Sequence, residues 1–324
     1  MNSKNEIAEG TAAILPGNTA KSIIKKETYK LKMKNKEANK KTVLITGTNS
    51  GFGWLTAHSV AALGHNVYAT MRDTNEKNAA KAEALSQVDN VTVLDVSLTD
   101  ETSVNKAVDT ILTKEGTLDV LVNNAGISMT GVAESYTVAD VQEMFDVNVI
   151  APWRLMKLAL PSMRKQSEGL IINVSSGFGR FSFPFSVVYG ASKFGLEGLS
   201  EGLHYEVRPL GVDVAIVQPG AFPTEMSLKA RAASDSAVNA DYEAIAAYPE
   251  KMMNAIGQLF EAANPNPQDV ADAVVNLINL PKGQRPLRTV VDPTTGEFVK
   301  TANEAVDVEY ARALTAFGMK DLLP

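Results

Sequence analysis

Thr42-Val43-Leu44-Ile45-Thr46-Gly47-Thr48-Asn49-Ser50-Gly51-Phe52-Gly53 is the stretch whose reading decides the fold. The β-branched, apolar run from Thr42 to Thr46 reads as a short buried strand, and a helical pattern follows the glycines as far as Leu63. A strand, a glycine-rich turn and a helix in that order open a βαβ unit, whose helix N-terminus presents backbone N–H groups to an anion. Gly47 permits the tight turn, Gly51 lets backbone approach a pyrophosphate, and Gly53 allows the helix to pack closely on the strand. The spacing is G-x-x-x-G-x-G rather than G-x-G-x-x-G. Alone it would fit any strand-to-helix turn; at the head of a βαβ unit it makes Gly47, Asn49, Ser50, Gly51, Phe52 and Gly53 a candidate dinucleotide loop.

Outward from this stretch the rhythm repeats. Further strands are expected at 66–71, 91–95, 118–123, 170–174, 212–218 and 287–291, and helices at 51–63, 75–86, 100–114, 137–163, 189–207 and 269–280. Gly64 stands where a helix C-cap would, and Thr99 or Asp100 where an N-cap would. Pro152 and Pro161 predict a kink or an early stop in the long helix 137–163. Strands alternating with helices across short connections form a parallel sheet covered on both faces. The expected fold class is therefore α/β, a single doubly wound Rossmann-like sheet in one domain, 42–324. Residues 224–267 break the rhythm beyond a strand's carboxyl end, where such sheets bind ligands, and read either as a substrate lid or as an ordinary helical excursion.

The 324 residues carry a net charge of -6, but residues 1–41 hold ten lysines against four glutamates, leaving 21 basic against 33 acidic residues in the remainder. An acidic body is not a nucleic-acid binder. The Lys-rich arm is read as a disordered extension; a basic arm for an anionic partner and a start at Met33 are the other readings. No apolar run is long enough to span a membrane and no signal peptide is evident, so the default compartment is the cytoplasm. Cysteine is absent, and His58, His65 and His204 are scattered, so no metal site is expected.

A second stretch carries the chemistry. In Tyr189-Gly190-Ala191-Ser192-Lys193 the i, i+4 spacing places a phenol and an ammonium one helical turn apart on one face. A cation at about 4 Å in an effective dielectric near 20 is worth about 4 kcal/mol, enough to bring a tyrosine down by about 3 pKa units towards neutrality. By itself, however, Y-x-x-x-K is a common helical pair.

In company it is not. The loop T-G-x-x-x-G-x-G, Asp95 after the third strand, Asn123-Asn124-Ala125-Gly126 after the fourth, Asn148 in the next helix, Asn173-Val174-Ser175-Ser176, Tyr189-x-x-x-Lys193 and Pro219-Gly220 occur in order. Together they resemble the short-chain dehydrogenase/reductase family from about Thr42 to Thr224. The resemblance implies that Tyr189 exchanges a proton with the substrate oxygen during hydride transfer, and that Lys193 lowers its pKa and holds the nicotinamide ribose. It further implies that Ser176 hydrogen-bonds the substrate oxygen and that Asn148 positions a water in the proton path. Asp95 and Val96 would meet the adenine, Asn123, Ala125 and Gly126 would line the cofactor, and Pro219, Gly220 and Thr224 would hold the nicotinamide end. For Asn123, a tie between neighbouring strands is an equally good reading.

Ser176 and Tyr189 must both face the substrate oxygen, so the loop between them borders the substrate. It contains Phe178, Phe181, Phe183 and Phe185, which suggest an apolar wall, with Met129, Met226, Tyr242 and Met252 opposite; packing under the helix or between subunits would use the same rings. Arg180 alone does not suggest an anionic substrate. At the end of the second strand an NAD enzyme of this fold has an acidic residue, whereas Met71 and Arg72 stand here, so NADP(H) is expected, with NAD possible through Asp73. The expected activity interconverts an apolar alcohol and its ketone or aldehyde. A homodimer or homotetramer is the assembly the resemblance implies. A catalytically silent nucleotide sensor and an epimerase or dehydratase are the alternative functions.

Overall fold

The protein is described by a computed structural model covering residues 40–323 except 229, with the backbone alone at 227 and 228. The chain divides into two units at Lys40 and Lys41. The readings of the Lys-rich arm and of Met33 lie outside the described residues.

Seven parallel strands form the sheet: β1 (Thr42–Thr46), β2 (Asn66–Met71), β3 (Val91–Asp95), β4 (Val120–Asn123), β6 (Gly169–Val174), β7 (Val212–Pro219) and β9 (Arg288–Val291), in the order β3-β2-β1-β4-β6-β7-β9. The chain builds outward from β1 to β3, then returns to place β4 on the other side of β1. That reversal opens a crevice at the carboxyl ends of β1 and β4. A second sheet pairs β5 (Met129–Thr130) with β8 (Arg231–Ala232).

Alternation along β1 shows how the sheet is buried. Val43 and Ile45 pack on one face against Ala57, Val60 and Ala61 of α1 (Gly51–Ala62) and Val270, Val274 and Leu277 of α9 (Gln268–Asn279). Leu44 points the other way, into a cluster with Val104, Val108 and Ile111 of α3 (Glu101–Glu115) and Leu155, Met156 and Met163 of α5 (Ala151–Lys165). Both faces are dry, so strands read as continuous apolar runs.

Three helix expectations need correction. The expected helix 75–86 begins only at Ala79 (α2, Ala79–Ser86), because Asp73 takes a φ of +56° and the turn that follows returns Asn78 N–H to the Asp73 carbonyl at 3.0 Å. The expected helix 137–163 is three segments: α4 (Val138–Phe145), a π turn (Asp146–Ile150) and α5. Pro152 has no N–H for the carbonyl four residues back and its ring crowds that carbonyl, so the ladder widens just before it. Pro161, in contrast, neither ends nor breaks α5, which continues to Lys165.

Residues 224–267 contain α7 (Glu225–Leu228), β8, a 3-10 segment (Ala237–Ile245) and α8 (Tyr248–Ala263), and α8 buries no residue. Sequence periodicity also left the C-terminal helix α10 (Gly296–Ala316) unassigned. Its start is organised by Asp292, whose carboxylate accepts from the N–H groups of Thr294 and Thr295 at 2.8 and 3.1 Å. Among the described residues no helix is long and apolar enough to cross a membrane.

Candidate active site

The crevice between β1 and β4 is closed by side chains on both strand ends. The Thr46 hydroxyl accepts from the N–H groups of Asn124 and Ala125, each at 3.0 Å, and Asn124 Nδ2 donates to the carbonyls of Thr46 and Gly47 at 2.8 and 3.1 Å. Around this tie the glycines are sterically required. A Cβ at Gly47 (φ +69°) would lie 2.8 Å from Ala125 Cα, and one at Gly53 2.3 Å from the Gly47 carbonyl oxygen. At Gly51 (φ +55°) the nearest atom is Thr224 Cβ at 3.7 Å, which leaves that side of the turn open. Ser50 begins α1 in extended geometry with no side-chain cap, and no acidic residue occupies the first turn. Uncapped N–H groups and an open glycine are what a pyrophosphate needs, so this chain's residues fit a dinucleotide. Phe52 packs edge-on against Phe222, with centroids 5.5 Å apart.

At the far end of the cradle, Met71 is buried in the core while the side chain of Arg72 is 72% exposed, its Nε 4.0 Å from Asp73 Oδ2. Asn78 Nδ2 holds the Arg72 carbonyl at 2.7 Å and meets Asn49 Nδ2 through its own Oδ1 at 3.5 Å. Asp95 accepts from the N–H and the hydroxyl of Thr74 at 3.0 and 2.8 Å. Val96 points into the core, and its N–H donates to the Met71 carbonyl at 2.9 Å. The Asn123 side chain is also buried and donates to Asn173 Oδ1 at 2.8 Å across β4 and β6, the geometry of a strand tie. Pro219 ends β7, and Gly220 N–H donates to the Val291 carbonyl at 3.0 Å. A Cβ on Gly220 would sit 2.1 Å from Asp292 Cγ.

Asn148, Ser176, Tyr189 and Lys193 converge beside this cradle. Asn148 lies in the π turn and is buried; Oδ1 accepts from Ile127 N–H, and Nδ2 donates to the Ile127 carbonyl, both at 2.9 Å, and to Ser192 Oγ at 3.0 Å. A Cβ on Gly126 would be 3.2 Å from Asn148 Oδ1, 3.7 Å from Lys193 Nζ and 3.7 Å from Met226 Cε, so one glycine brings the three side chains together. Tyr189 and Lys193 occupy the first two turns of α6 (Val187–Val207). Ser176 caps the 3-10 turn Gly177–Gly179, its hydroxyl accepting from Phe178 N–H at 3.2 Å, and hydrogen-bonds the Tyr189 phenol. Phe178 stands edge-on to the Tyr189 ring at 5.9 Å and stacks on Phe183 at 4.8 Å.

Burial pushes the Tyr189 phenol up to about 12, with the Ser176 hydroxyl opposing. The ammonium is 5.7 Å from the ring centroid and donates to the Val174 carbonyl at 3.0 Å. Burial pushes Lys193 down to about 8, with Glu197 opposing. Two contributors escaped the sequence reading. Asn124 was visible in its motif but not its bonds to β1, and Ser192 sits inside the tyrosine-lysine motif, where it links Asn148 to the Tyr189 carbonyl at 2.7 Å.

A doubly wound sheet with a glycine cradle at its strand reversal and a tyrosine, serine and lysine beside it defines a dinucleotide-dependent enzyme. Residues 41–235 match the family described as short chain dehydrogenase. A 3-ketodihydrosphingosine reductase of Bacteroides thetaiotaomicron is 38% identical over 200 residues, 62% of this chain and 71% of that protein. Retinol dehydrogenase 8 of Homo sapiens is 37% identical over 247 residues, 74% of this chain and 78% of that protein. The solved structure of ElxO with NADP bound has a TM-score of 0.65 and 29% identity, covering 78% of this chain and 98% of that one. The chain belongs to the short-chain dehydrogenase family and is an NAD(P)-dependent oxidoreductase.

Proposed function

We propose that this protein interconverts a lipophilic alcohol and its ketone or aldehyde by hydride transfer with NADP(H), with Tyr189 as the general acid/base. The observation that carries the reading is the environment of the phenol: Ser176 bonds it on its polar side, and the Phe178–Phe183 stack lies against its ring. An apolar carbonyl compound can rest on those rings while its oxygen meets the two hydroxyls. Met226, 40% exposed and close to Gly126, is placed to add apolar surface opposite. The 3-ketodihydrosphingosine reductase and the retinol dehydrogenase are named for substrates with long apolar chains, which agrees with this wall.

The bound cofactor would supply or accept the hydride. The chain's own residues would handle the proton. A phenol pushed up to about 12 is fully protonated at neutral pH, which suits donation to a carbonyl oxygen in the reductive direction. Ser176 would hold that oxygen, and Lys193 would stabilise charge developing on the phenol. Asn148 has its side chain committed to Ile127 and Ser192, so a water in the proton path would be held by its backbone carbonyl, whose α-helical donor would have been Pro152. Arg72, whose side chain is 72% exposed, would meet the adenosine 2′-phosphate. Residues 224–267 would form the lid, tied at their base by β5–β8 pairing and leaving α8 to move.

Following cofactor absorbance with retinaldehyde, a long-chain ketone, short aldehydes and a sugar tests the reading. NADPH should be oxidised with the apolar carbonyl compounds. A silent sensor or an epimerase would give no net cofactor change with any of them, and that result would overturn the proposal.

A further inference from the structure

Arg180 lies in the loop joining Ser176 to Tyr189, yet its side chain is turned inward and is only 13% exposed. Nε donates to Asn303 Oδ1 of α10 at 2.7 Å, while Nη2 lies 3.8 Å from Glu197 Oε2 and 3.7 Å from Glu201 Oε2 on α6. Asn303 passes the link on: its Nδ2 donates to Gln218 Oε1 of β7 at 2.7 Å, and Gln218 Nε2 donates to Glu197 Oε1 at 2.9 Å. Arg288 of β9 balances the same carboxylates, through Nε to Glu197 at 3.1 Å and Nη2 to Glu201. The result is a closed, buried ring drawn from the substrate loop, α6, β7 and α10. Buried charges persist only where every partner is in place, so such a ring has one arrangement.

The ring bears directly on the turn that carries Ser176 and Phe178. A Cβ at Gly179 would be 2.8 Å from Glu197 Cγ, and one at Gly177 3.3 Å from Val299 of α10. Arg180 Nη2 makes ion pairs but no hydrogen bond, so the directional hold on this side chain is the bond from Nε to Asn303.

We propose that Arg180, held by Asn303, is a positioning residue for substrate recognition: it fixes turn 177–179 and the Phe178–Phe183 stack, and so makes α10 a determinant of the apolar wall. This rests on the alcohol–carbonyl reading above and adds to it a specificity element outside residues 41–235. It also removes Arg180 as an anchor for an anionic substrate.

Asn303→Ala and Arg180→Lys test it, since neither leaves an unpaired buried charge. In the full chain without substrate, amide exchange over residues 177–186 should rise about tenfold in both, the loss of one charge-assisted hydrogen bond, with β1 and β4 unchanged. With NADPH, KM for a long apolar carbonyl compound should rise while kcat stays within about twofold and short aldehydes are little affected. A purely structural role would lower thermal stability and kcat and leave KM ratios alone. Unchanged loop exchange, or unchanged KM ratios with active enzyme, would overturn the proposal. Absence of turnover in the wild type would count against the dehydrogenase reading, while the exchange measurement would still decide the link from α10 to the loop.

Discussion

Lys193 donates from Nζ to the Val174 carbonyl at 3.0 Å and stands 5.7 Å from the centroid of the Tyr189 ring. It is buried, and its pKa is pushed down to about 8, so its charge is lost as pH rises through that value. Tyr189, pushed up to about 12, stays protonated across the same range. Reductive turnover should therefore be level near neutrality and decline above about pH 8. A rate profile that stays flat to about pH 10 would show that the ammonium is not needed.

Arg72 should select the cofactor. Each charge-assisted contact to a phosphate contributes about 1.5–3 kcal/mol, so Arg72→Ala should weaken NADP(H) roughly tenfold to a hundredfold and leave NAD(H) nearly unchanged. Met71 cannot serve for the converse experiment, because it is buried in the core and a carboxylate there would unsettle the sheet. Equal dissociation constants for the two cofactors in the wild type would remove the argument.

Asp140 should set part of the acid stability. Its carboxylate accepts from the Ser234 hydroxyl at 2.6 Å and from the N–H groups of Thr137 and Ser234 at 2.9 and 3.1 Å, and these bonds hold its pKa down at about 2. A carboxylate depressed in the folded state stabilises the protein above its unfolded pKa, near 4, and loses that contribution as pH falls towards 2. Asp140→Asn should melt below the wild type at pH 7, and the gap should close on acidification. A gap independent of pH would mean that shape, not charge, matters at this position.

The sheet was legible in the sequence because both of its faces are buried, which makes each strand an apolar run bounded by turn residues. The cradle was legible because Gly47 and Gly53 have no room for a Cβ, and the tyrosine-lysine pair because helical spacing fixes it. What the sequence hid depends on distance along the chain. The π turn at Asn148 follows from one missing N–H at Pro152, and a proline inside a helical pattern can as well be absorbed, as Pro161 is. The direction of Arg180 was set by Asn303, 123 residues away, and no local pattern announces such a partner. For the Tyr189 phenol, spacing gives only the neighbour on the helix, whereas the burial that pushes the group up comes from the rest of the fold.

Ile150, Trp153 and Phe194 are each 43% exposed on the π turn, α5 and α6, an apolar surface suited to a second copy of the chain. Light scattering at micromolar concentration should show a dimer or tetramer, and Trp153→Glu should shift it towards monomer. A wild type that is monomeric throughout would contradict the expected assembly.

The central claim is that the Tyr189 phenol moves the proton, and Tyr189→Phe removes that hydroxyl while keeping the ring against Phe178. Measured with NADPH and an apolar carbonyl compound that the wild type reduces, the variant should bind NADPH with nearly unchanged affinity and lose about a hundredfold or more in kcat. If purified Tyr189→Phe, with cofactor affinity intact, turns over at a rate close to wild type, the acid/base assignment is wrong.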